Sequence, residues 1–398
     1  MNQPSVVSAA KHHAAVPFWR DVRVLAVLSQ IVFAIIVAVV AGLLYANLTR
    51  NMAERGMSAG FGFLQLEAGF EIKKESIPYS PSDSYGRAFL VGVVNTLRVS
   101  SIGIILATIL GIVAGVARLS DNWLVSKIAL VYIEIIRNTP LLVQLFFWYM
   151  GVAFQLPPVR ESITLPGSIF VNQRGVFMPW AFPSATFRFW LPFLIGGIAI
   201  AVVLWIVLTR YQMRTGQPSH RFLAAVLALL LIPTLGWFVA GESPLVGELP
   251  VLERFNFKGG MRLSPEFTAI VVGLVVYTAA FIAEVVRGGI LAVRRGQIEA
   301  ARALGLANMQ TLQLVIFPQA MRVIIPPLIS QYLNLTKNSS LAIACGYPDL
   351  YMVAGTILNQ TGRPVPVLMM VMGSYLIMSL VTSLLMNIYN RAVQFVER

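Results

Sequence analysis

EFTAIVVGLVVYTAAFIAEVVRGGILAVRRGQIEAARALGLANMQTLQLVIFP, residues 266–318, is the stretch of this sequence that decides the fold. Residues 266–291 form a mostly apolar run that is long enough, as a helix, to cross a bilayer core of about 30 Å. The residues that follow are polar and rich in arginine, and a second apolar run begins near residue 310. The stretch therefore predicts two membrane-spanning helices joined by a short polar loop.

The whole chain has the composition of a membrane protein. Of its residues, 57% are hydrophobic and 12% are charged, whereas an ordinary soluble domain has about 25% charged residues. The predicted fold class is an all-α membrane protein with about eight transmembrane helices. The apolar runs place these spans near residues 24–48, 88–117, 126–151, 190–209, 222–240, 266–291, 310–335 and 366–390.

These spans divide the chain into three predicted parts. Residues 1–87 would form an N-terminal anchor span and an outer segment, residues 88–390 a transport region with an inserted pair of spans at 190–240, and residues 391–398 a tail. Within the outer segment, the mixed polarity of Phe61–Phe70 fits either an interfacial element or a solvated loop. Prolines are expected to interrupt the seventh span, and glycines to allow close helix packing. These residues are Pro318, Pro326, Pro327, Gly42, Gly92, Gly103, Gly111 and Gly115.

The positive charge of the chain indicates its orientation in the membrane. The formal net charge is +13, but the basic residues lie beside apolar runs along the whole chain, which does not indicate nucleic-acid binding. In membrane proteins an excess of Lys and Arg marks the cytoplasmic loops. With both termini in the cytoplasm, the inner segments carry the larger excess, including Arg294, Arg295 and Arg302. We therefore predict an inner-membrane protein with both ends inside.

Residues 296–304 of the polar loop have the features of a short helix. Ala300 and Ala301 are strong helix formers with small side chains, and Gly305 suits a left-handed C-cap. We expect Glu299 to lie near the helix start, where negative charge is favoured. Because small side chains let another backbone come close, the helix is suited to docking into a groove of a partner protein.

This loop resembles a known signature. Glu299-Ala300-Ala301, three residues, Gly305, nine residues, and then Val315 to Pro318 are similar to the cytoplasmic motif of type I ABC importer permeases. Val stands where Ile is usual, and Phe317 where Leu is usual. The resemblance implies the type I importer transmembrane fold, with an extra N-terminal span and the inserted pair. It also implies that the loop is the helix that couples the permease to a separate ATP-hydrolysing subunit.

Other stretches resemble the polar amino acid branch of these permeases, and the outer segment and the inserted spans resemble the larger permease of general L-amino acid transport systems. The resemblance implies broad specificity for L-amino acids, a second and different permease, two ATP-binding cassette subunits, and a periplasmic amino-acid-binding protein. ATP would bind the partner subunits, so no cofactor is expected on this chain. The stretches are Asn95–Ser100, Arg118–Ser120, Glu134–Gln144 and Lys337–Leu341.

Ionisable residues within spans are costly and are candidates for function. Glu134 with Arg137, and Glu284 with Arg287, are each three residues apart and can pair along one helix face. Such pairs serve either as charges at an inner gate or as self-neutralised charge that packs helices. An amino acid zwitterion also needs an acceptor for its ammonium group and donors for its carboxylate. Candidates for this pathway are Asn95, Thr96, Arg98, Gln144, Glu284, Lys337, Ser339 and Asp349, of which the last three could equally belong to a solvated turn.

Other classes of function have less support in the sequence. With Cys345 as the single cysteine, an internal disulfide is impossible, and the three histidines lack the spacing of metal ligands. Neither a nucleotide-binding loop of the G-x-x-x-x-G-K-[ST] type nor the H-E-x-x-H or G-x-S-x-G motif is present, so we predict a transport subunit and not an enzyme. The alternative is an ion-coupled secondary transporter, although the broken region around residues 318–348 has no clear mate.

Overall fold

The computed structural model describes residues 22–54, 60–72 and 76–393, and it is mainly helical, as predicted. Within these residues, seven helices are long and apolar enough to span a membrane, and there are eight spans if the bent helix pair is counted as one. The predicted tail 391–398 lies mostly outside the described residues, as does the segment before the first span. The helices are α1 (Val22–Glu54), α2 (Tyr85–Arg118), α3 (Trp123–Asn138), α4 (Leu141–Phe146), α5 (Phe187–Thr215), α6 (Arg221–Val239), α7 (Pro265–Leu291), α8 (Arg295–Ala303), α9 (Asn308–Thr311), α10 (Phe317–Asn338), α11 (Leu350–Thr361) and α12 (Pro364–Val393).

The third span is not the continuous helix predicted at 126–151. The chain bends by 107° between α3 and the helical segment Leu141–Gln155. Pro140 lies at the bend, and Thr139 before it has an extended backbone. Proline causes the break because it lacks an N–H donor and disfavours helical backbone in the residue before it. The Gln144 side chain donates to the carbonyls of Ile136 and Thr139 at 2.9 and 3.0 Å. This amide donates to two carbonyl groups at the end of α3, where the regular helix hydrogen bonds stop.

The seventh span is more regular than its prolines suggest. Helix α10 continues through Pro326 and Pro327, so the predicted interruption there is wrong. The irregular turn lies earlier, where residues Leu312–Ile316 form a π-helical turn just before Pro318. A proline ring clashes with the carbonyl one turn before it, and the wider π turn relieves this contact.

Eight short strands were not predicted. They flank α5 and α6 in sequence, and they form a four-stranded antiparallel sheet of order β1-β2-β3-β8 and two hairpins, β4–β5 and β6–β7. Strands of three or four residues are too short to show a clear period in the sequence. They are β1 (Ile163–Leu165), β2 (Ile169–Asn172), β3 (Gly175–Met178), β4 (Trp180–Pro183), β5 (Leu245–Glu248), β6 (Val251–Glu253), β7 (Asn256–Lys258) and β8 (Met261–Leu263).

The inserted helices α5 and α6 form a hairpin whose strongest packing is internal. Trp190 of α5 donates its indole N–H to the carbonyl of Pro233 in α6 at 2.8 Å. A Cβ on Gly197 would lie 3.1 Å from the Pro233 ring, so the two helices are in close contact there. The four-stranded sheet leads through β8 directly into α7, whose other end leads into α8. Helix α7 therefore separates the sheet from α8 by about 40 Å, at 1.5 Å per residue.

The centre of the bundle is the contact between α2 and α7, which run in the same direction. A Cβ on Gly111 would lie 2.6 Å from Ile282, and one on Gly115 would lie 2.7 Å from the carbonyl oxygen of Ala283. Gly92 and Gly103 also meet neighbouring helices, whereas Gly42 in α1 has nothing within 4 Å. Small residues thus allow close helix approach at four of the five predicted positions.

The Phe61–Phe70 segment packs onto the bundle and is not a solvated loop. It contains a short 3₁₀ helix, Gly62–Gln65, in which Phe63 is buried. Phe63 belongs to a cluster of buried apolar residues contributed by α2, α11 and α12. The guanidinium of Arg363 lies 5.5 Å from the Phe63 ring centre. Helix α11, which the sequence did not predict, contributes Leu350, Val353, Ala354 and Ile357 to the same cluster.

Candidate functional site

The predicted short helix of the polar loop is present as α8. Ala301 is buried against the bundle, whereas Glu299 and Ala300 are exposed. Glu299 lies in the middle of the helix and not near its start, since α8 begins at Arg295 and has no acidic residue in its first turn. Its carboxylate is therefore too far from the N-terminus to interact with the free N–H groups there.

Gly305 ends α8 as predicted. Its φ is +79°, in the left-handed region. Its N–H donates to the carbonyl of Arg302 at 2.9 Å, and the N–H of Leu306 donates to that of Ala301 at 3.2 Å. These two bonds define a Schellman motif, which satisfies carbonyls that the end of a helix leaves free. A left-handed residue is needed here, and glycine adopts that conformation without steric cost.

Two apolar residues that the sequence analysis missed extend the exposed surface of this loop. Leu304, at the end of α8, is 82% exposed, and Met309 in α9 is 62% exposed. Pro318 lies beyond them, in the first turn of α10. Leu304 lies outside the candidate spans, and Met309 lies in the first turn of the span Asn308–Cys345. Large exposed apolar side chains that cluster at such a place indicate a contact surface. The sequence held a signal for these two residues, because both are large apolar residues in a polar loop, one on each side of Gly305.

Most of the predicted pathway residues are buried and hydrogen-bonded within the chain. Asn95 accepts bonds from the Ser76 backbone and hydroxyl and donates to the carbonyl of Pro348 at 2.9 Å. Thr96 accepts the N–H of Leu350 at 2.9 Å. These bonds join α2 to the outer segment at Ser76 and to the start of α11, and buried polar groups held in this way are already satisfied within the chain. Ser339 is likewise buried, and its hydroxyl donates to the carbonyl of Thr336 in the last turn of α10 at 2.7 Å.

Asp349 is the N-cap of α11 and not part of a solvated turn. It is 1% exposed, and one carboxylate oxygen accepts the N–H of Met352 at 2.9 Å. The Tyr375 hydroxyl donates to the other oxygen at 3.4 Å. Asp349 lies between the last two spans, and burial raises the pKa of its carboxyl to about 7. The folded chain therefore binds this proton more tightly than the unfolded chain does.

This pKa predicts that stability depends on pH. The stabilising effect of protonating Asp349 is full below the unfolded pKa of about 4, and it is lost as pH rises through about 7. We expect the apparent melting temperature of the purified chain to rise between pH 8 and pH 6. Asp349→Asn, which keeps a good N-cap, should remove much of this rise. The same slope in parent and variant would show that another group causes it.

Only one of the two predicted inner-gate pairs is formed. Arg287 contacts both carboxylate oxygens of Glu284, with its Nη2 2.8 Å from Oε2. Glu134 and Arg137 do not pair with each other, so the predicted pairing is wrong, while their place at an inner gate stays a prediction. Asn138 donates to the Glu134 carboxylate at 3.3 Å, while the Arg137 guanidinium lies 5.3 Å from the ring centre of Phe281 in α7. Because α3 ends at Asn138, its last turn leaves these side chains free to take other partners.

Among the remaining candidates, Lys337 is exposed at the end of α10. Arg98 is half-buried, with its guanidinium 4.8 Å from the Phe267 ring centre. A cavity of about 520 Å³ lies between α2, α7, α10 and α12, and none of the predicted pathway residues lines it. Its walls are apolar, including Ile112, Ile282 and Phe317. Walls of this kind suit a hydrocarbon chain better than a zwitterionic amino acid, because they offer few groups that can form hydrogen bonds.

Comparison with known proteins shows which family the chain belongs to. Residues 222–398 match the family described as binding-protein-dependent transport system inner membrane component. The chain is 47% identical to the putative amino-acid ABC transporter permease protein YhdX of Escherichia coli, over 93% of this chain and 94% of that one. It is 47% identical to the general L-amino acid transport system permease protein AapQ of Rhizobium johnstonii, over 88% of each. It is 40% identical to the glutamate/glutamine/aspartate/asparagine transport system permease protein BztB of Rhodobacter capsulatus, over 95% and 96%.

The fold is that of a multi-spanning helical membrane protein with a short capped helix at one end of the bundle. The chain belongs to the family of binding-protein-dependent transport system inner membrane components, as a permease of an ABC transporter. The relatives align along nearly its whole length. The alternative of an ion-coupled transporter receives no support from them.

Proposed function

We propose that this chain imports L-amino acids, with broad specificity, as one of two different permeases in an ABC importer. The observation that carries this proposal is the full-length similarity to three permeases whose names specify amino acids. Two ATP-binding cassette subunits would hydrolyse ATP, a periplasmic protein would deliver the solute, and this chain would hold no cofactor.

In this proposal α8 is the contact with the ATPase. Exposed Ala300 and Leu304 offer a small and an apolar surface next to each other, which suits a helix that docks in a groove. Because ATP is cytoplasmic, the α8 end of α7 faces inward, with both termini on the same side. The four-stranded sheet, at the other end of α7, then faces the periplasm.

The hydrogen bonds divide the pathway candidates into two groups. Asn95, Thr96, Ser339 and Asp349 use their polar groups to hold helices and loops in place. Gln144 holds the bend after α3 with its amide N–H groups, but its buried Oε1 has no hydrogen-bond partner among the residues that the structure describes. Arg98, Glu284 and Lys337 are more exposed, and we propose that they shape solute selection. Glu284 would accept an ammonium group only by sharing its carboxylate with Arg287, whose bonds already hold it.

Reconstituted transporter tests the function directly. We expect uptake of several L-amino acids into proteoliposomes to require both ATP and the binding protein, and to stop when a catalytic residue of the ATPase is inactivated. An ion gradient without ATP should give no uptake, because the energy source lies on the partner subunits. Uptake driven by the gradient alone would contradict the proposal.

The same vesicles test the proposed selection residues. Lys337→Met should change the uptake of acidic relative to basic amino acids, since a positive charge on the path favours anions. Lys127→Met, near the start of α3, is the matched control and should leave the ratio unchanged. An equal fall for every solute with Lys337→Met would assign Lys337 to assembly and not to selection.

A further inference from the structure

The β6–β7 hairpin ends in an unusual two-residue loop. Glu253 pairs with Asn256 in the strand register, so the loop consists of Arg254 and Phe255. Such loops favour glycine or asparagine, because their backbone requires positive φ. Here Arg254 has a φ of +45°. A side chain kept in this sparsely populated region points to a function that outweighs the strain.

The hairpin is firmly held at its base. Phe257 in β7 is buried and stacks on Phe170 with ring centres 4.5 Å apart, and it contacts Phe177 at 5.0 Å. The two glycines after β7 fit closely, since a Cβ on Gly259 or Gly260 would lie 2.7 or 2.5 Å from a backbone carbonyl. The loop is therefore presented on a rigid base, and little conformational entropy would be lost when a partner binds.

The end of the hairpin collects positive charge around an exposed aromatic ring. Phe255 is 67% exposed, and the Arg160 guanidinium lies 5.3 Å from its ring centre. Arg174 donates to the Phe255 carbonyl at 3.1 Å. We call Arg160, Arg174, Arg254 and Phe255 the arginine tip.

The charges of the arginine tip are not neutralised within the part of the chain that the structure describes. None of its three guanidinium groups forms an ion pair there, whereas the nearest hairpin acid, Glu253, pairs with Lys258. Glu161, which follows Arg160 in the chain, adds one negative charge beside the three arginines. The tip therefore keeps an excess of positive charge. Arginine and exposed aromatic residues are the side chains that most often dominate the binding energy of protein interfaces.

We propose that the arginine tip is a docking point for the solute-binding protein. The matching surface would be on a lobe of the binding protein, where acidic side chains surround an apolar pocket. This inference rests on the proposed function, which places the sheet end of α7 in the periplasm. Charge complementarity selects an acidic partner surface and speeds its encounter with the tip. The ring of Phe255 would fill the pocket, and the three guanidinium groups would pair with the carboxylates around it. An anionic lipid headgroup would satisfy the charges but not the rigid, exposed ring.

The test uses the complete transporter in nanodiscs and the binding protein that stimulates its ATP hydrolysis. The variant Arg254→Gly with Phe255→Ala removes a charge and the ring, while glycine keeps the backbone of the turn. The concentration of binding protein needed for half-maximal stimulation should rise at least about tenfold, the loss that corresponds to about 1.4 kcal/mol. Hydrolysis at saturating binding protein should stay unchanged.

The matched control is Arg188→Ala with Phe189→Ala, a second exposed Arg-Phe pair at the start of α5 on the same side. It should alter the half-maximal concentration less than about twofold. Parent-like affinity in the tip variant would overturn the proposal, as would a defect seen only in nanodiscs containing phosphatidylglycerol, which would assign the tip to lipid. If no binding protein stimulates the parent transporter, the proposed function itself fails, and this outcome is distinct from the others.

Discussion

Gly305→Val is expected to leave the chain inserted in the membrane but to abolish most ATPase binding and solute-stimulated hydrolysis. The φ of +79° is readily adopted by glycine but strongly disfavoured for a β-branched residue. A Cβ in left-handed backbone costs roughly 1–2 kcal/mol, so the chain would leave this conformation and break the two bonds that end α8. The direction of Leu304 and Ala300 would then change. Co-purification of the ATPase and its stimulated hydrolysis measure the effect.

Gly216→Val is the matched control for this change. Gly216 ends α5 with a φ of +70° and has nothing within 4 Å, as is also true of Gly305. It lies at the end of the α5–α6 hairpin that faces the same side of the membrane as α8 in the proposed topology. The two variants introduce the same local backbone strain, but only Gly305→Val introduces it at the proposed contact with the ATPase. Equal loss of coupling in both would attribute the effect to general strain, and no loss in either would remove α8 from the interface.

The elements predicted best from sequence are those that local chemistry defines. The apolar run 266–291, the alanines of α8 and the left-handed Gly305 each carry their reason in neighbouring residues. The bend at Pro140 had a signal too, since a proline after Asn138-Thr139 disfavours helix. It was missed because the apolar character continues on both sides of the bend, and hydropathy alone cannot show a change of direction.

The functional roles of polar side chains were harder to predict, because they depend on partners far away in the chain. Asn95 and Thr96 were interpreted as pathway residues, yet their partners lie near Pro348 and Leu350, on another helix connection. Likewise, Glu134 and Arg137 have the spacing of a pair, but the end of α3 and the ring of Phe281 give them other partners. A sequence shows which polar groups must be satisfied within a membrane, but it does not show which groups will satisfy them.

The helix contact at the centre of the bundle gives the second large effect. Gly111→Ala should destabilise the chain, because the new Cβ would lie 2.6 Å from Cβ and Cγ2 of Ile282, close to the α7 backbone. Such atoms cannot move without shifting α7, and overpacking of this kind costs about 1–3 kcal/mol. The loss should exceed the gain of about 1 kcal/mol from replacing glycine by alanine in a helix. A lower apparent melting temperature of the purified chain is the expected result.

Gly103→Ala in the same helix separates close packing from helix propensity. Its Cβ would first meet Cδ2 of Leu335, at 3.2 Å, and this side-chain end needs to shift by only a few tenths of an ångström. Both substitutions bring the same gain in helix propensity, so Gly103→Ala should be neutral or slightly stabilising. If the two variants melt together, α2 and α7 are not held at the distance described here. If only Gly111→Ala melts early, the α2–α7 contact controls the stability of the bundle, since the two substitutions differ only in the atoms that each new methyl group meets.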